Sequence, residues 1–238
     1  PIIFRMFFFV DNDQWKVIET HQNEETIYMI CEGVQIECQK YTDEFSGVQE
    51  YSYFIQGNYD KVKYCSVRIV RDFLINLYTT EKGYNLYHMA AVEKNGKAIA
   101  LMGDKYNGKT TSLINLLYYG TYNYLSNDKL LINFNNECVS LPYSIGIRQG
   151  TLKSECYLES IISTNLSELK HYQPSLNEKE CQRVFIMPNE LCDYLKAQIR
   201  ITAKLAICIK CVYDAEVKTI LIRKLINDDK LSFIENNL

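Results

Sequence analysis

Residues 97–120, KAIALMGDKYNGKTTSLINLLYYG, join an apolar run, a loop with two glycines and a second apolar run. The first run follows the turn dipeptide Asn95-Gly96, so it predicts the second strand of a hairpin. The second run, residues 110–119, predicts a helix that begins where the loop ends, and we expect Gly120 to end it. The stretch therefore predicts strand, loop and helix in direct succession.

The loop matches the pattern GxxxxGK[ST], with Gly103, Gly108, Lys109 and Thr110 at the defined positions. Glycine lets the backbone approach phosphate oxygens without a Cβ clash, and the first N–H groups of the helix are donors without helical partners. Lys109 would supply charge to the β- and γ-phosphates, and Thr110 a hydroxyl to Mg²⁺. The loop predicts binding of ATP and Mg²⁺; the alternative is a strand–turn–helix with a surface lysine.

A carboxylate is expected near such a loop, and YLSNDKLLI, residues 124–132, provides one. Asp128 follows a predicted strand, where it would ligate Mg²⁺ or accept a proton from an attacking hydroxyl, unless it is an ordinary turn residue. His88 lies on the predicted strand one hairpin upstream, near the entry side of the loop. The alternative for His88 is a structural histidine in the core or at a sheet edge.

The succession of His88, the strand and glycine loop, the helix and YLSND resembles the HPr kinase/phosphorylase family and its smaller relatives. These relatives include kinases encoded with ribosomally made peptides. In the family a His lies on the strand before the loop, the loop reads roughly GxSGxGKS, and an Asp-Asp pair ends the next strand. The loop is also similar to that of phosphoenolpyruvate carboxykinases, which share the fold and often read GKTT, as residues 108–111 do. The similarity is good over about residues 64–135 and loose elsewhere.

The resemblance implies ATP-dependent transfer of the γ-phosphate to a Ser or Thr hydroxyl of a small protein or ribosomally made peptide. Lys109 would stabilise the transition state, Asp128 or His88 would take the acceptor proton, and Arg148 would neutralise charge on the moving phosphoryl group. The residues assigned to nucleotide are Gly103, Asp104, Lys105, Tyr106, Asn107, Gly108, Lys109, Thr110 and Thr111, and those assigned to Mg²⁺ are Thr110 and Asp128.

One departure from the family affects the chemistry. Asn127 stands where the family has the first Asp of its pair, to which the acid/base role is attributed, and one residue is inserted before it. Asparagine can orient a group but cannot act as a base. Two alternatives therefore stay open: a nucleotide-binding regulatory or scaffold protein without kinase activity, and a kinase of a small metabolite.

The whole chain predicts an α/β protein with two regions. Residues 1–60 form a β-rich N-terminal region that could dock a peptide or partner, and residues 61–238 a P-loop catalytic domain with a mixed sheet flanked by helices. A helix is predicted over residues 62–78, with apolar positions Val67, Val70, Leu74 and Leu77, and Gly83 follows its end. The N-terminal runs, taken as a small antiparallel sheet, are IIFRMFFFV, WKVIET, TIYMICEG, VQIECQKY and YSYFIQG.

Beyond the helix of the glycine loop, the pattern predicts a loop-rich region over residues 142–179 and a helix over residues 188–197. A closing helix is predicted in DDKLSFIENNL. Further strands are predicted in LYHMAAVEK, YNYLS, KLLINF, ECVSL, RVFIMP, IRITAKLAICIKCVY and VKTILIRKL.

Composition and charge limit the classes of partner that the chain is expected to bind. With a net charge of −3 and scattered Lys and Arg, the chain has no basic stripe for nucleic acid. The longest apolar run, residues 2–10, is too short to span a bilayer and contains Arg5. Nine cysteines without regular spacing or a secretory segment predict a reduced, cytoplasmic setting. The CxxC of Cys208 and Cys211 lies in a predicted buried strand, which favours core thiols over redox or zinc chemistry; the oligomeric state is left open.

Overall fold

The computed structural model of the chain describes residues 2–10, 25–31, 34–148, 151–152, 158 and 183–212. The chain divides into two compact units, residues 1–74 and residues 75–238, and the division falls within the first helix. The predicted boundary at residue 60 lies at the start of that helix. As predicted, the fold is mixed α/β.

The N-terminal unit contains a four-stranded sheet in the order β1-β4-β3-β2. Its strands are β1 (Ile2–Val10), β2 (Glu25–Cys31), β3 (Val34–Thr42) and β4 (Gln49–Gly57). β2, β3 and β4 are antiparallel neighbours, as predicted, but β1 pairs with β4 in parallel. The parallel pair corrects the prediction of a purely antiparallel sheet: the long connection from β1 to β2 allows β1 to reach the far edge. The predicted strand WKVIET lies outside the described residues.

Helix α1 (Tyr59–Glu81) forms where the sequence predicted it and ends before Gly83, whose φ is +68°. Its buried residues Val62, Cys65 and Ile69 pack against Val34, Ile36 and Ile55 of the sheet. The predicted apolar stripe was wrong, because Val67 and Val70 are exposed. The spacing on α1 fits more than one stripe, and contact with the sheet selects the one that contains Cys65.

The second unit contains a seven-stranded sheet in the order β5-β9-β10-β13-β7-β6-β8. Only the β13–β7 pair is parallel; the other neighbours are antiparallel. Its strands are β5 (Tyr84–Tyr87), β6 (Ala90–Lys94), β7 (Lys97–Met102), β8 (Asn123–Ser126), β9 (Leu130–Asn133), β10 (Glu137–Ser140) and β13 (Thr202–Lys210).

The predicted strand LYHMAAVEK divides into β5 and β6 at His88 and Met89. The Met89 N–H donates to the Tyr87 carbonyl at 3.1 Å, which bends the chain between the two strands. β5 then pairs with β9 at one edge of the sheet, whereas β6 pairs with β7 and β8. The prediction of one strand was therefore wrong, because both halves are apolar enough for strands but have different partners.

Helix α2 (Lys109–Gly120) follows the glycine loop, as predicted. The left-handed residue at its end is Thr121, with φ 53°, and not Gly120. Gly120 has a different reason to be glycine: a Cβ there would lie 2.5 Å from the Tyr122 ring. Leu113, Ile114 and Leu117 of α2 are buried on one face of the sheet.

Among the described residues, two strands and a helix lie between β10 and β13 in the chain. β11 (Ile145–Arg148) and β12 (Arg183–Ile186) form an antiparallel pair, and α3 (Pro188–Leu195) begins at Pro188, as predicted, and ends two residues before the predicted end. β11 lies in the region predicted to be loop-rich. Four residues with a glycine among them are too short a run for the alternating pattern to predict a strand.

β13 has the central place in the described sheet, but its faces are not buried as predicted. Ile207 is 51% and Ile209 41% exposed, and Cys208 is also exposed. The apolar run correctly predicts a strand, but burial depends on what covers the faces of the sheet, which the run does not encode. The predicted elements VKTILIRKL and DDKLSFIENNL lie outside the described residues. In the described part of the chain, no helix is long and apolar enough to cross a membrane.

A buried carboxylate ties the β6–β7 hairpin to its neighbours. Glu93 is 4% exposed and accepts hydrogen bonds from the Gly96 N–H and, at 2.8 Å, from Asn123 Nδ2. Arg200 Nε lies 3.6 Å from the same carboxylate. Asn123 Oδ1 in turn accepts from the Gln198 N–H at 3.2 Å. The Glu93 carboxyl group thus links the β6–β7 hairpin to β8 and to the segment after α3.

We expect Glu93→Gln to lower the free energy of unfolding by about 1–3 kcal/mol, because an amide leaves buried donors unsatisfied. The matched control is Glu137→Gln, whose carboxylate is exposed and accepts only one side-chain hydrogen bond among those described, from Asn133; we expect a change within about 0.5 kcal/mol. Urea denaturation of both variants checks this. Equal losses would show that the Glu93 network has no special weight.

Candidate functional site

The glycine loop joins β7 to α2 with three residues at positive φ. These are Gly103 at 143°, Tyr106 at 77° and Gly108 at 78°. Within the loop, the Asn107 N–H donates to the Asp104 carbonyl at 3.3 Å. The chain therefore turns tightly from the end of the strand into the first turn of the helix.

Gly103 is glycine because of the neighbouring strand. The Cys211 N–H donates to the Met102 carbonyl at 2.7 Å, which extends the β13–β7 pairing to the start of the loop. A Cβ on Gly103 would lie 2.5 Å from the Cys211 carbonyl oxygen. At Gly108, by contrast, a Cβ would meet nothing within 4 Å. Close approach to phosphate was predicted as the reason for both glycines; for Gly103 the contact with Cys211 is a sufficient reason.

The start of α2 offers backbone donors. Its hydrogen bond back to the loop runs from the Ser112 N–H to the Gly108 carbonyl at 2.8 Å. The N–H groups of Lys109, Thr110 and Thr111 precede that bond, where helix geometry provides no partner. The N-cap residue is Gly108, which has no side chain to accept these hydrogen bonds. The positive end of the helix dipole is therefore open to an anion.

The Lys109 side chain folds back onto the glycine loop. Its side chain is buried, and Nζ donates to the Gly103 carbonyl and, at 3.2 Å, to the Asp104 carbonyl. Burial lowers the pKa of Lys109, and the negative charge of Asp128 is the largest effect that opposes this. The amino group is thus satisfied by neutral carbonyls that an anion could replace.

His88 and Asp128 meet at the site. His88 Nδ1 lies 3.0 Å from Asp128 Oδ1, with both side chains about half exposed. The hydrogen bond from His88 is the main reason that the pKa of Asp128 is lowered, and Lys129 and Lys109 lower it further. Asp128 is therefore a carboxylate at neutral pH. His88 lies in the break between β5 and β6, not on a strand as predicted, and the break brings its ring to Asp128.

The first threonine of α2 faces the segment after β8. Thr110 Oγ1 donates to Asn127 Oδ1 at 3.3 Å, so the Asn127 amide orients the Thr110 hydroxyl. A hydroxyl that donates its hydrogen keeps lone pairs for a metal ion. Thr111 differs, because its hydroxyl is 2.7 Å from the Thr151 hydroxyl. Of the two threonines, Thr110 is the one whose side chain faces the Asn127–Asp128 segment.

Arg148 reaches the loop from the end of β11. Its guanidinium carbon is 3.9 Å from the centroid of the Tyr106 ring, and Lys105 Nζ is 5.7 Å from the same centroid. The charge of Arg148 also contributes to the lowered pKa of Lys109, which indicates that the two cations are near each other. Four predicted catalytic residues thus belong to one neighbourhood: Lys109, Asp128, His88 and Arg148.

Sequence reasoning missed Cys211 as part of this neighbourhood. Its thiol is hydrogen bonded to Ser112 of α2 and interacts with the charge of Lys109, while burial raises the pKa of the thiol. Cys211 reaches the loop because β13 pairs in parallel with β7, which brings the residue after β13 to the end of β7. Two strands so far apart in the chain give no local pattern for that pairing.

The donor set fits a magnesium nucleotide in part. Mg²⁺ commonly takes one or two protein oxygens and completes its shell with water and phosphate, and Thr110 and Asp128 offer such oxygens. No group of three or more His, Cys, Asp or Glu side chains suited to a metal occurs in the described ranges.

Comparison of the chain with protein-family models, curated proteins and solved structures found no match in any of the three. The resemblance to the HPr kinase group therefore rests on the residues quoted above.

The contact behind the loop predicts a difference between two glycines. Gly103→Ala should destabilise the protein more than Gly96→Ala, because both residues have positive φ but only Gly103 has a backbone atom where the Cβ would lie. We expect about 1–2 kcal/mol for Gly96→Ala from backbone strain, and a larger loss for Gly103→Ala. Thermal and urea denaturation measure both; equal losses would argue against the contact with Cys211.

Proposed function

We propose that this protein is an ATP-dependent phosphotransferase that phosphorylates a hydroxyl group. The observation that carries the proposal is the convergence of an uncapped helix start, the loop lysine Lys109 and the His88–Asp128 pair at one end of β7. An anion donor set beside an ionised, hydrogen-bonded carboxylate is what transfer of a phosphoryl group to a hydroxyl requires.

The chain's own groups would bind the triphosphate. The N–H groups at the start of α2 donate to phosphate oxygens, and Lys109 exchanges the carbonyls of Gly103 and Asp104 for them. Thr110 and Asp128 would hold Mg²⁺, with Asn127 orienting the Thr110 hydroxyl. When bound, Mg²⁺ would neutralise charge on the β- and γ-phosphates. Arg148 adds a second positive charge on the loop side.

Asp128 is the proposed base. The acceptor oxygen attacks the γ-phosphorus, the bond from that phosphorus to the β–γ bridging oxygen breaks, and ADP leaves with the electron pair. The acceptor proton passes to an oxygen of Asp128. His88 holds the carboxylate in place and keeps its pKa low, so that the carboxylate is ionised before transfer. His88 is a positioning residue in this scheme and not the base.

The acceptor class comes from the resemblance. It is a Ser or Thr hydroxyl of a small protein or ribosomally made peptide, and the N-terminal sheet of β1 to β4 is the proposed docking element. A small metabolite would use the same chemistry with a different docking surface. Acceptor panels of Ser-bearing peptides and small alcohols separate these two.

One observation favours a second function, a nucleotide-binding regulator. Asn127 occupies the position of the family's first Asp and is engaged with Thr110, so a single carboxylate faces the loop from this segment. A protein of this kind would bind ATP without transferring phosphate. Binding and transfer must therefore be measured separately.

Lys109→Met should abolish ATP binding, because it removes the charge and two hydrogen bonds from the loop. Asp128→Asn should keep ATP affinity within a few fold and lower transfer by about 10²–10⁴, the range for loss of a general base. Calorimetric titration with Mg-ATP measures binding, and ADP release with a Ser-bearing peptide measures transfer.

Two matched variants control these changes. Lys97→Met alters an exposed lysine at the opposite end of β7, and Asp193→Asn an exposed aspartate on α3. Both should behave like the wild type. Full transfer by Asp128→Asn would exclude Asp128 as the base, and tight ATP binding without ADP release in the wild type would support the regulator.

The His88–Asp128 pair predicts a pH effect. A carboxylate with a lowered pKa works to a lower pH than usual, so His88→Ala should move the acidic limb of the kcat/KM profile upward, toward the ordinary Asp value of about 3.9. His88→Gln, which keeps a side-chain N–H, should shift it less. Carboxyl ¹³C NMR of Asp128 gives the pKa directly. An unchanged pKa in His88→Ala would contradict this role of His88.

A further inference from the structure

Tyr106 has a costly backbone conformation that a core role does not explain. Its φ is +77°, in the left-handed region that bulky side chains rarely adopt, and the residue is 69% exposed. Glycine would fill this position without strain, as it does at Gly108 two residues later. The ring must therefore contribute something that a residue with easier geometry would not.

The ring lies against a cation. The Arg148 guanidinium carbon is 3.9 Å from the ring centroid, a stacking distance, whereas Lys105 Nζ is farther away at 5.7 Å. Arg148 is the last residue of β11, so its backbone is fixed by pairing with Arg183 of β12. The backbone and the head group of Arg148 are thus both held.

An aromatic ring holds the Arg148 guanidinium in a different way from a carboxylate. A carboxylate would also hold a guanidinium, but it would cancel the charge that a phosphate needs. An aromatic face attracts the cation through its quadrupole and leaves the five N–H donors at the edge of the guanidinium plane. Arg148 therefore keeps its donors available beside the loop that ends at Lys109, and two cations on one loop favour an anion with several charged oxygens.

We propose that the Tyr106 ring is the platform that positions Arg148 for the terminal phosphate of ATP, so that the stack selects nucleoside triphosphate over diphosphate. This inference rests on the proposed function and deepens it. Tyr106 is a positioning residue: it acts through Arg148 and does not touch the transferred group. The strain at Tyr106 is tolerated because the left-handed φ brings the ring out of the loop and under the guanidinium.

The test compares binding of Mg-ADP with binding of the non-hydrolysable analogue Mg-AMP-PNP by calorimetry. Tyr106→Gly removes the ring and relieves the backbone, so loss of folding is not expected; urea denaturation verifies it. We expect the analogue to bind about three- to tenfold more weakly to Tyr106→Gly, with ADP affinity unchanged. Tyr106→Phe keeps the ring, so it should keep the preference for the analogue over ADP.

Arg148→Met should lose the same preference for the triphosphate. Because the ring acts through the guanidinium, the double variant of Tyr106→Gly and Arg148→Met should lose no more than Arg148→Met alone. In the transfer assay, Tyr106→Gly should lower kcat, and Tyr106→Phe should restore it.

The outcomes distinguish the two proposals. A wild type that binds neither nucleotide overturns the proposed function and this inference together. A wild type that prefers the triphosphate, with that preference intact in Tyr106→Gly, overturns this inference alone. Equal weakening of both nucleotides in Tyr106→Gly would mean that the ring only shapes the loop, which also overturns it.

Discussion

The parallel pairing of β7 with β13 is the constraint on which the site depends. The pairing ends with the hydrogen bond from the Cys211 N–H to the Met102 carbonyl. It also brings the Cys211 carbonyl oxygen so close to Gly103 that a Cβ at this position would clash with it. That contact sets where the strand stops and the loop begins. The start of α2 and the side chain of Lys109 then follow from a few residues of turn geometry. The loop predicted to bind nucleotide is thus positioned by a strand that contributes none of the residues assigned to nucleotide.

Local patterns were enough to predict the strand, the loop and the helix of residues 97–120, because turn dipeptides, glycine spacing and apolar runs encode each piece directly. They also placed Asp128 just after a strand and near the loop. What they could not provide is the path of the chain between elements. The break at His88 arises because β5 and β6 pair with different strands, and β1 is parallel to its neighbour because it pairs with β4 and not with β2. Both features depend on which strands pair with each other, and local sequence patterns do not encode that.

Side-chain surroundings were the other part that the sequence could not supply. The ring of Tyr106 beneath Arg148 joins residues from two separate elements, and the apolar stripe of α1 was misassigned because its spacing fits more than one face. The strand β13 was predicted to be buried since it is apolar, yet Ile207 and Ile209 are exposed. Apolar content reports that a residue can be buried, and the tertiary neighbours decide whether it is.

The position of β13 has a consequence for biosynthesis. In the described sheet it is the last strand along the chain, yet it lies between β10 and β7 and joins a group of β5, β9 and β10 to a group of β7, β6 and β8. Until the ribosome has released residue 210, a nascent chain has two half-sheets with open edges. Such edges are templates for wrong pairing, and closing them requires contacts far apart in sequence, which form slowly. Completion of the described sheet therefore waits for its last strand, and wrong pairing of the open edges competes with folding until then.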